Sequence, residues 1–151
     1  MKKDLKRDMA SDIIDLTVRK GILCGAFFMM GFPTETEEEI MQTIRFAIKS
    51  SLHTAVFAIV TPYPGTEMFA KGKQRGYNMD VEFGTVYTPT INMSAVPSER
   101  LSDLRYYAYR RFYFSPRRAW NIFKTAPSKF PLFKNFIEVV MVSLFKKPLY
   151  G

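Results

Sequence analysis

The chain has 151 residues, of which 47% are hydrophobic and 24% are charged, enough for one globular domain with its own core. No stretch approaches the roughly 20 apolar residues of a membrane-spanning helix, and the charged first 12 residues lack the apolar centre of a signal peptide, so we expect a cytoplasmic protein. The net charge of +8 is uneven, because residues 1–99 sum to −1 and residues 100–151 to +9.

The first predicted element is a helix over residues 4–20. Its larger apolar side chains recur every three or four residues, and Gly21 follows as a stop signal. The next segment, residues 22–30, reads ILCGAFFMM and is apolar throughout. A continuous apolar run is typical of a parallel strand that is covered on both faces. Gly31 ends this predicted strand.

A second helix is predicted over residues 34–51. Two capping-box patterns compete for its start, Thr34 with Glu37 and Thr36 with Glu39. Glutamates crowd this first turn, where the helix dipole favours negative charge. The start of the helix is therefore acidic.

A second apolar run, residues 54–60, completes a strand–helix–strand unit. The crossover of such a unit is right-handed, so both strands run parallel and their carboxyl ends share the edge at which α/β proteins bind ligands. The predicted fold class is therefore α/β, as a slice through a (β/α) barrel or an open parallel sheet. A complete eight-stranded barrel takes about 250 residues, so the slice is incomplete.

The rest of the chain is predicted to be mostly helical. A short helix covers residues 67–75, and residues 77–97 are irregular with at most one short strand at residues 85–88. Ser115-Pro116 suits the start of a further helix, and residues 132–144 form a last amphipathic face. The helix between them has one apolar face: Leu101, Leu104, Ala108 and Phe112.

Two motifs follow the predicted strands. GFPTETEEE, residues 31–39, combines a glycine for a tight turn, a proline that directs the chain and a threonine cap. Its glutamates disfavour phosphate, because the helix amides already face carboxylates, and they favour a neutral or cationic ligand group. TPYPGTEMF, residues 61–69, forms a rigid loop. Both motifs also suit plain turns that bind nothing.

The residue counts limit metal chemistry. Cys24 is the only cysteine and His53 the only histidine. One thiol forms no internal disulfide, and structural zinc or iron–sulfur sites take three or four protein ligands. We therefore predict no catalytic and no metal-binding residue in this chain. Cys24 is expected to be a small buried apolar residue, and His53 to lie in a loop without a catalytic partner.

Together, the two motifs carry a resemblance to a known family. The strings GAFFMMGFPTETEEEIMQTIRFAI and AIVTPYPGTEMFAKGKQRG resemble the later barrel strands of radical S-adenosylmethionine (SAM) proteins, particularly the subgroup with an upstream cobalamin-binding domain. The resemblance covers about residues 1–75. Residues 93–120 are more loosely similar to the C-terminal extension of that subgroup. The fold that it implies is a partial (β/α) barrel whose fifth and sixth strands are present here.

The resemblance also implies a binding site. In this family the carboxyl ends of these two strands lie beside the adenine and methionine portions of SAM. The cofactor-binding residues that it implies by position are Gly31, Phe32 and Pro33 at the first strand end, and Val60, Thr61 and Pro62 at the second. Val60 would form an apolar wall against the adenine.

The chain departs from the family in its cysteines. The motif Cys-x3-Cys-x2-Cys, which holds a 4Fe-4S cluster that binds and reduces SAM, is absent. The earlier strands and a cobalamin domain are absent as well. SAM, the cluster and cobalamin are thus cofactors of the parent family, and the expected partner is the missing N-terminal part of the barrel or a complementing chain. A degenerate reading frame without a stable product stays open.

The predicted organisation is a barrel segment over residues 1–76, a connector over residues 77–97 and a basic, aromatic helical extension over residues 98–151. The extension permits a helical cap with its basic side chains outward, or docking to a partner protein or anionic membrane surface. Its charge also suits nucleic acid, which we disfavour because no reading module is visible. The residues in question are Arg110, Arg111, Arg117, Arg118, Lys146 and Lys147.

The sequence therefore supports two function hypotheses. In the first, the chain is the C-terminal segment of a radical SAM iron–sulfur enzyme, inactive alone, whose parent reaction is reductive cleavage of SAM or a cobalamin-linked methyl transfer. In the second, it is a non-catalytic basic helical module that docks to a partner or an anionic membrane surface. Substrate and oligomeric state are not indicated.

Overall fold

A computed structural model describes residues 7–79 and 91–125 of the chain. Within these ranges the elements are α1 (Arg7–Arg19), β1 (Gly25–Met30), α2 (Glu37–Lys49), β2 (Thr54–Ile59), α3 (Glu67–Gln74), α4 (Ser98–Tyr113) and α5 (Pro116–Thr125). The α/β class is confirmed, with five helices and a two-stranded sheet in the described part. None of these helices is long and apolar enough to cross a membrane. The strand predicted at residues 85–88 and the face predicted at residues 132–144 lie outside the described residues.

The two strands pair in parallel, as predicted. Their register runs from Gly25 opposite Thr54 to Met30 opposite Ile59. The 13-residue helix α2 carries the chain back between them. Because the strands are parallel and in register, both carboxyl ends lie at one edge of the sheet, which we call the rim.

The prediction that residues 22–30 form a strand covered on both faces is wrong. The strand begins at Gly25, and exposure alternates along it, with the Phe27 side chain 77% exposed and that of Met29 44% exposed. Phe28 points the other way and stacks on Phe57, with ring centroids 5.4 Å apart. Since side chains alternate between faces along a strand, the described elements cover one face of β1 and leave the other open.

The core is shared by the sheet, α2 and α4. The apolar face predicted for the helix over residues 98–113 is confirmed, because Leu101, Leu104, Ala108 and Phe112 are all buried. They belong to one cluster with residues of both strands and of α2, including Met30, Ile40, Ile44, Ala47, Ala55, Phe57 and Ile59. The first helix of the predicted extension is thus packed directly on the predicted barrel segment.

Two tyrosines of α4 cover the outer edge of β2. The Tyr113 hydroxyl accepts a hydrogen bond from the Ala55 amide (3.1 Å) and donates one to the Ala55 carbonyl (2.9 Å). Tyr109 repeats this pattern one helical turn earlier, with the Phe57 amide (3.1 Å) and carbonyl (3.4 Å). Residues four apart on a helix lie on one face, and residues two apart in a strand point to one side. The two hydroxyls therefore stand where a neighbouring strand would pair.

Arg118 is buried, which contradicts the expectation that it is a surface charge. Its side chain is 6% exposed. Its guanidinium donates hydrogen bonds to backbone carbonyls at the end of α2 and at Phe112. The guanidinium carbon, Cζ, lies 3.5 Å from the centre of the Phe112 ring. Burial lowers the pKa of Arg118 to about 10, so it remains cationic at neutral pH. It satisfies carbonyls that lack intrahelical partners and complements the helix dipole.

Candidate functional site

The rim brings the two predicted strand ends together. The Val60 amide donates to the Met30 carbonyl at 2.8 Å, so pairing continues to the last residue of β1 and one beyond β2. The segments Gly31–Pro33 and Val60–Pro62 therefore leave the sheet side by side. These are the six residues that the resemblance implies, and the geometry brings both triplets to one edge.

Gly31 lies at a place where any other residue would be strained. Its φ is +86°, in the left-handed region that glycine adopts at no steric cost. A Cβ atom there would stand 3.1 Å from Leu101 Cδ2 and 3.3 Å from Ile59 Cγ2. The first strand end is therefore pressed directly against α4, which makes Leu101 a support of the rim.

Glu35 fixes the turn after β1. Its Oε2 atom accepts hydrogen bonds from the amides of Gly31 (2.6 Å) and Phe32 (3.0 Å), and its own amide donates to the Phe32 carbonyl at 2.9 Å. Thr34 takes a positive φ of 68° within this turn. The carboxylate occupies the two amides that would otherwise be free to bind an anionic ligand.

Helix α2 begins with the second of the two competing capping boxes. Thr36 is the N-cap, its hydroxyl accepts from the Glu39 amide at 3.4 Å, and the Glu39 carboxylate accepts from the Thr36 amide at 2.8 Å. The hydrogen bonds that the Thr36 amide and the Thr36 hydroxyl donate to the Glu39 carboxylate lower the pKa of Glu39. The hydrogen bond from Arg100 likewise lowers the pKa of Glu37. The helix start beside the rim is therefore ionised and acidic at neutral pH.

The connector is attached to the turn after β1. The Thr34 amide donates to the Met93 carbonyl at 3.3 Å, and the Ala95 amide donates to the Glu35 carbonyl at 3.1 Å. The Asn92 side chain holds the connector's own turn by donating to the Val96 carbonyl at 2.6 Å. Residues 91–97 thus brace the turn after β1.

The second strand end is more buried than the first. Val60 is 5% exposed and Pro62 is fully buried, whereas Thr61 is partly exposed. The Thr61 hydroxyl oxygen is buried and is the one such side-chain atom among the described residues without a hydrogen-bond partner. Buried polar groups are normally hydrogen-bonded, so an unpaired hydroxyl at this position calls for a partner that the described residues do not supply.

An open cleft of about 510 Å³ lies beside the first strand end. Two of the predicted site residues, Phe32 and Pro33, line it, and the other four do not. Its remaining walls come from the turn after β1 and from α2: Thr34, Glu35, Glu39, Gln42, Thr43 and Phe46. The cleft between the rim and α2 is therefore lined by aromatic and acidic side chains.

Sequence reasoning missed two residues that shape the rim, Glu35 and Leu101. Glu35 was counted only as one acidic residue of the helix start, although its carboxylate holds the turn. Leu101 was assigned to a helix face with no link to the rim. Thr61 was predicted from its position, and the structure adds that its hydroxyl is buried without a hydrogen-bond partner. Of these roles, only that of Glu35 could have been predicted from the local sequence, because Glu35 lies three to four residues after the two amides that it binds.

Cys24 and His53 lie at the opposite end of the sheet from the rim. The Cys24 amide donates to His53 Nδ1 at 3.1 Å, and His53 Nε2 lies 3.3 Å from the Thr125 hydroxyl. His53 is 1% exposed, and burial lowers its pKa below 6.5. Six strand residues at about 3.3 Å each separate Cys24 from the rim by roughly 20 Å. Neither residue reaches a ligand there.

The described residues also limit metal binding. Across residues 7–79 and 91–125, no three His, Cys, Asp or Glu side chains are grouped so that they could hold a metal ion. The chain as a whole has one cysteine. A 4Fe-4S cluster takes Cys thiolates as ligands, so the residues of this chain do not fit one.

Curated proteins similar to this chain are named for methyl transfer and ring formation. An uncharacterized methyltransferase of Pyrococcus horikoshii is 32% identical over 117 residues, which are 76% of this chain and 26% of the relative. The anaerobic magnesium-protoporphyrin IX monomethyl ester cyclase of Rubrivivax gelatinosus is 28% identical over 102 residues, 68% of this chain and 18% of the relative. The bacteriochlorophyllide d C-8(2)-methyltransferase of Chlorobaculum tepidum is 30% identical over 66 residues, 44% of this chain and 15% of the relative.

The chain spans about a quarter or less of the length of these relatives. No family model matches it, and no solved structure matches it at a significant level. The similarity therefore links this chain to one segment of proteins named as methyltransferases and as a cyclase.

Proposed function

We propose that this chain is the C-terminal segment of a radical SAM enzyme and that its rim forms part of the SAM pocket. One observation carries the proposal. The site residues that the family resemblance implies, Gly31–Pro33 and Val60–Pro62, follow parallel neighbouring strands at one edge of the sheet, where α/β proteins bind ligands. The names of the relatives favour methyl transfer as the parent reaction over the other radical reactions of the family.

The residues at the rim fit SAM. The Thr61 hydroxyl is buried and unpaired, so it is available to hydrogen-bond a polar group of a ligand. Val60 is buried beside it and supplies an apolar wall. The Glu35 carboxylate accepts hydrogen bonds from the amides of the turn, which leaves none of them for a phosphate. The acidic surroundings favour the positively charged sulfonium and ammonium groups of SAM. Bound there, SAM would supply the methyl or deoxyadenosyl group.

A 4Fe-4S cluster does not fit this chain, and we assign no step to one here. Cys24 cannot complete a cluster beside the rim, because it lies at the other end of β1 with its amide bonded to His53. Any cluster would take its ligands from outside residues 1–151. The cobalamin of the subgroup that this chain resembles would likewise be bound by residues outside this chain. The proposed enzyme thus consists of this segment together with the N-terminal part of the barrel or a complementing chain.

A titration of the full chain followed by ¹H–¹⁵N NMR tests the rim as a SAM site. We expect SAM to shift the amides of Gly31, Phe32 and Thr61, and S-adenosylhomocysteine, which lacks the sulfonium charge, to bind more weakly. ATP, which shares the adenine, should shift these amides less than SAM does, because Glu35 occupies the amides that a phosphate would use. Equal responses to ATP and SAM, or SAM shifts confined to other parts of the chain, would contradict the proposal.

A matched pair of threonine variants sharpens this test. Thr61→Val removes the buried hydroxyl and should weaken SAM binding by about threefold to tenfold, the loss of one hydrogen bond. Thr54→Val alters an exposed threonine at the opposite end of β2 and should leave the affinity unchanged. Equal affinities for both variants would remove Thr61 from the site.

A second candidate is docking to an anionic membrane surface, and α5 favours it. Trp120 is 57% exposed and Phe123 51% exposed, the two rings stack 6.0 Å apart, and Lys124 lies 5.5 Å above the Trp120 ring. Exposed aromatic and basic side chains on one helix are typical of interfacial helices. Trp120 is the only tryptophan in the chain, so its fluorescence should shift to the blue with phosphatidylglycerol vesicles and not with phosphatidylcholine vesicles. An unchanged spectrum would exclude this candidate.

A further inference from the structure

Residues 91–97, which we call the strap, are bonded to the first of the two motifs. That motif, residues 31–39, contains Thr34, whose amide donates a hydrogen bond to the Met93 carbonyl at 3.3 Å. The bond involves the backbone of Met93 and leaves its side chain for other contacts. The strap therefore reaches the turn after β1 through its main chain.

The side chain of Met93 packs with the second motif, residues 61–69. It is 4% exposed and lies in a small apolar cluster that is separate from the main core. Gly72 of α3 makes room for it, because a Cβ atom there would stand 3.2 Å from Met93 Cε. The members of the cluster come from the second motif, the strap and residue 79: Met68, Phe69, Met79, Ile91 and Met93. Met93 thus joins the first motif by its carbonyl and the second by its side chain.

The strap is held in one shape by its own side chains. The Asn92 amide group donates to the Val96 carbonyl at 2.6 Å and to the Ser98 hydroxyl at 3.2 Å. The Asn92 side-chain oxygen accepts from the Ser94 amide at 3.0 Å, a local hydrogen bond that is typical of turns. Val96 is buried in the main core. The strap is therefore anchored at both of its ends, in the small cluster and in the core.

The turn that the strap binds is strained. Thr34 has a φ of +68°, a rare conformation for a β-branched residue. Such conformations cost free energy and persist only where the surrounding structure imposes them. The strap bonds the Thr34 amide and, through the Ala95 amide, the Glu35 carbonyl at 3.1 Å. Without these two bonds the turn is free to relax, which would displace Gly31–Pro33.

We propose that Met93 is a positioning residue that couples the two motifs, so that the strained turn after β1 keeps its shape only while Met93 is packed against α3. Met93 belongs to neither rim segment and acts through Thr34. The inference rests on the proposed function, because the rim segments that it positions, Gly31–Pro33 and Val60–Pro62, are the proposed SAM site. Packing beside the second strand end thereby determines the geometry of the first.

Hydrogen exchange of the full chain without SAM tests the coupling. Met93→Ala withdraws the side chain from the cluster and keeps the carbonyl. We expect the Thr34 and Phe32 amides to exchange at least about tenfold faster, relative to the core amide of Ala55, which reports global unfolding. Met93→Leu fills a similar volume and should restore most of the protection. Unchanged exchange at Thr34 and Phe32 in Met93→Ala would overturn the inference.

Met79→Ala is the matched control for loss of packing. Met79 is 7% exposed and belongs to the same cluster, but no hydrogen bond among the described residues joins it to the first motif. It should accelerate exchange at Thr34 by less than about threefold, relative to Ala55. Equal acceleration by the two Ala variants would show that the cluster as a whole, and not Met93, holds the turn.

A second substitution tests the strain in the turn. Glycine adopts a positive φ at no steric cost, so Thr34→Gly should make the turn independent of the strap. In the double variant Thr34→Gly/Met93→Ala, we expect the Phe32 amide to regain most of the protection that Met93→Ala removes. Protection that stays lost in the double variant would contradict a role through Thr34.

SAM titrations separate this inference from the proposed function. Where both hold, Met93→Ala should weaken SAM binding by about tenfold, within the usual range of coupling between sites, and Met79→Ala should weaken it less. Accelerated exchange at Phe32 in a chain that binds no SAM would support the coupling and count against the proposed function alone. Intact SAM binding with unchanged exchange in Met93→Ala would count against the inference alone.

Discussion

The Tyr113 hydroxyl lies 2.9 Å from the carbonyl oxygen of Ala55 and 3.1 Å from its amide nitrogen, so one side chain satisfies both outward backbone groups of a β2 residue. Burial raises the pKa of Tyr113, which keeps the phenol protonated and able to donate. Tyr109 does the same at Phe57. A helix thereby closes the edge of a sheet by hydrogen bonding as well as by packing.

Removal of the Tyr113 hydroxyl should destabilise the chain. Tyr113→Phe keeps the ring but leaves a buried amide and carbonyl unpaired, which costs about 1–3 kcal/mol in the free energy of unfolding. Tyr107→Phe is the matched control, because Tyr107 lies on the same helix and is 43% exposed, and it should change stability by less than about 0.5 kcal/mol. Urea denaturation measures both. Equal stabilities would show that ring packing alone covers the edge.

The adjacent arginines of α5 should differ sharply. Arg118→Gln removes a buried guanidinium that bonds the carbonyls of Leu52 and Ser50, and should cost about 2–3 kcal/mol because buried acceptors lose their donors. Arg117→Gln changes an exposed side chain and should cost less than about 0.5 kcal/mol. Arg118→Lys should rescue only part of the loss, since one ammonium cannot reproduce the planar fork. Similar melting temperatures for the two Gln variants would contradict this account.

Stability should fall as the pH drops below about 6.5 because of His53. Burial lowers the pKa of His53 in the folded chain below its ordinary 6.5, so the unfolded chain binds the proton first. The stability that neutral His53 contributes to the folded chain is therefore complete above pH 6.5. It is lost as the pH falls towards the pKa of His53 in the folded chain. Chemical denaturation between pH 7.5 and roughly pH 5.5 covers a window above the ordinary carboxylate pKa values. His53→Gln should flatten the slope in this window, and an unchanged slope would assign it to other groups.

Glu35 should contribute more to the free energy of unfolding than the exposed Glu38. Glu35→Ala leaves the Gly31 and Phe32 amides without their acceptor and should cost about 1–2 kcal/mol, while Glu35→Gln keeps an acceptor oxygen and should cost less. Glu38→Ala removes a surface ion pair with Arg45 and should cost at most about 1 kcal/mol. Thermal unfolding of the three variants gives the order. A Glu35→Ala variant as stable as Glu38→Ala would show that the turn does not depend on the carboxylate.

Anaerobic reconstitution with iron and sulfide should leave the isolated chain without a cluster. One cysteine cannot replace the three of the family motif. Iron and sulfide analysis and the absorbance spectrum measure the outcome, with Cys24→Ala as the control. About four irons per chain that disappear in Cys24→Ala would overturn the prediction.

Local sequence patterns determined the elements and the direction of the chain. Apolar runs around Phe28 and Phe57 marked the strands, the spacing from Leu101 to Phe112 marked a buried helix face, and the βαβ order required parallel strands. These features depend on periodicity and on the handedness of the crossover, which act over short stretches of chain. The placement of both motifs at one rim followed directly from them.

Only the tertiary structure decided which of these residues face each other. The sequence does not distinguish the adjacent residues Arg117 and Arg118, yet Arg117 is exposed and Arg118 binds carbonyls at the end of α2. They differ because only one side of α5 faces the core. The open face of β1 could not be distinguished from a covered one, since apolar runs do not show which neighbours are present. The bonds from Tyr109 and Tyr113 to β2 join residues more than 50 positions apart. Such pairings depend on how helices pack on the sheet, which no local pattern records.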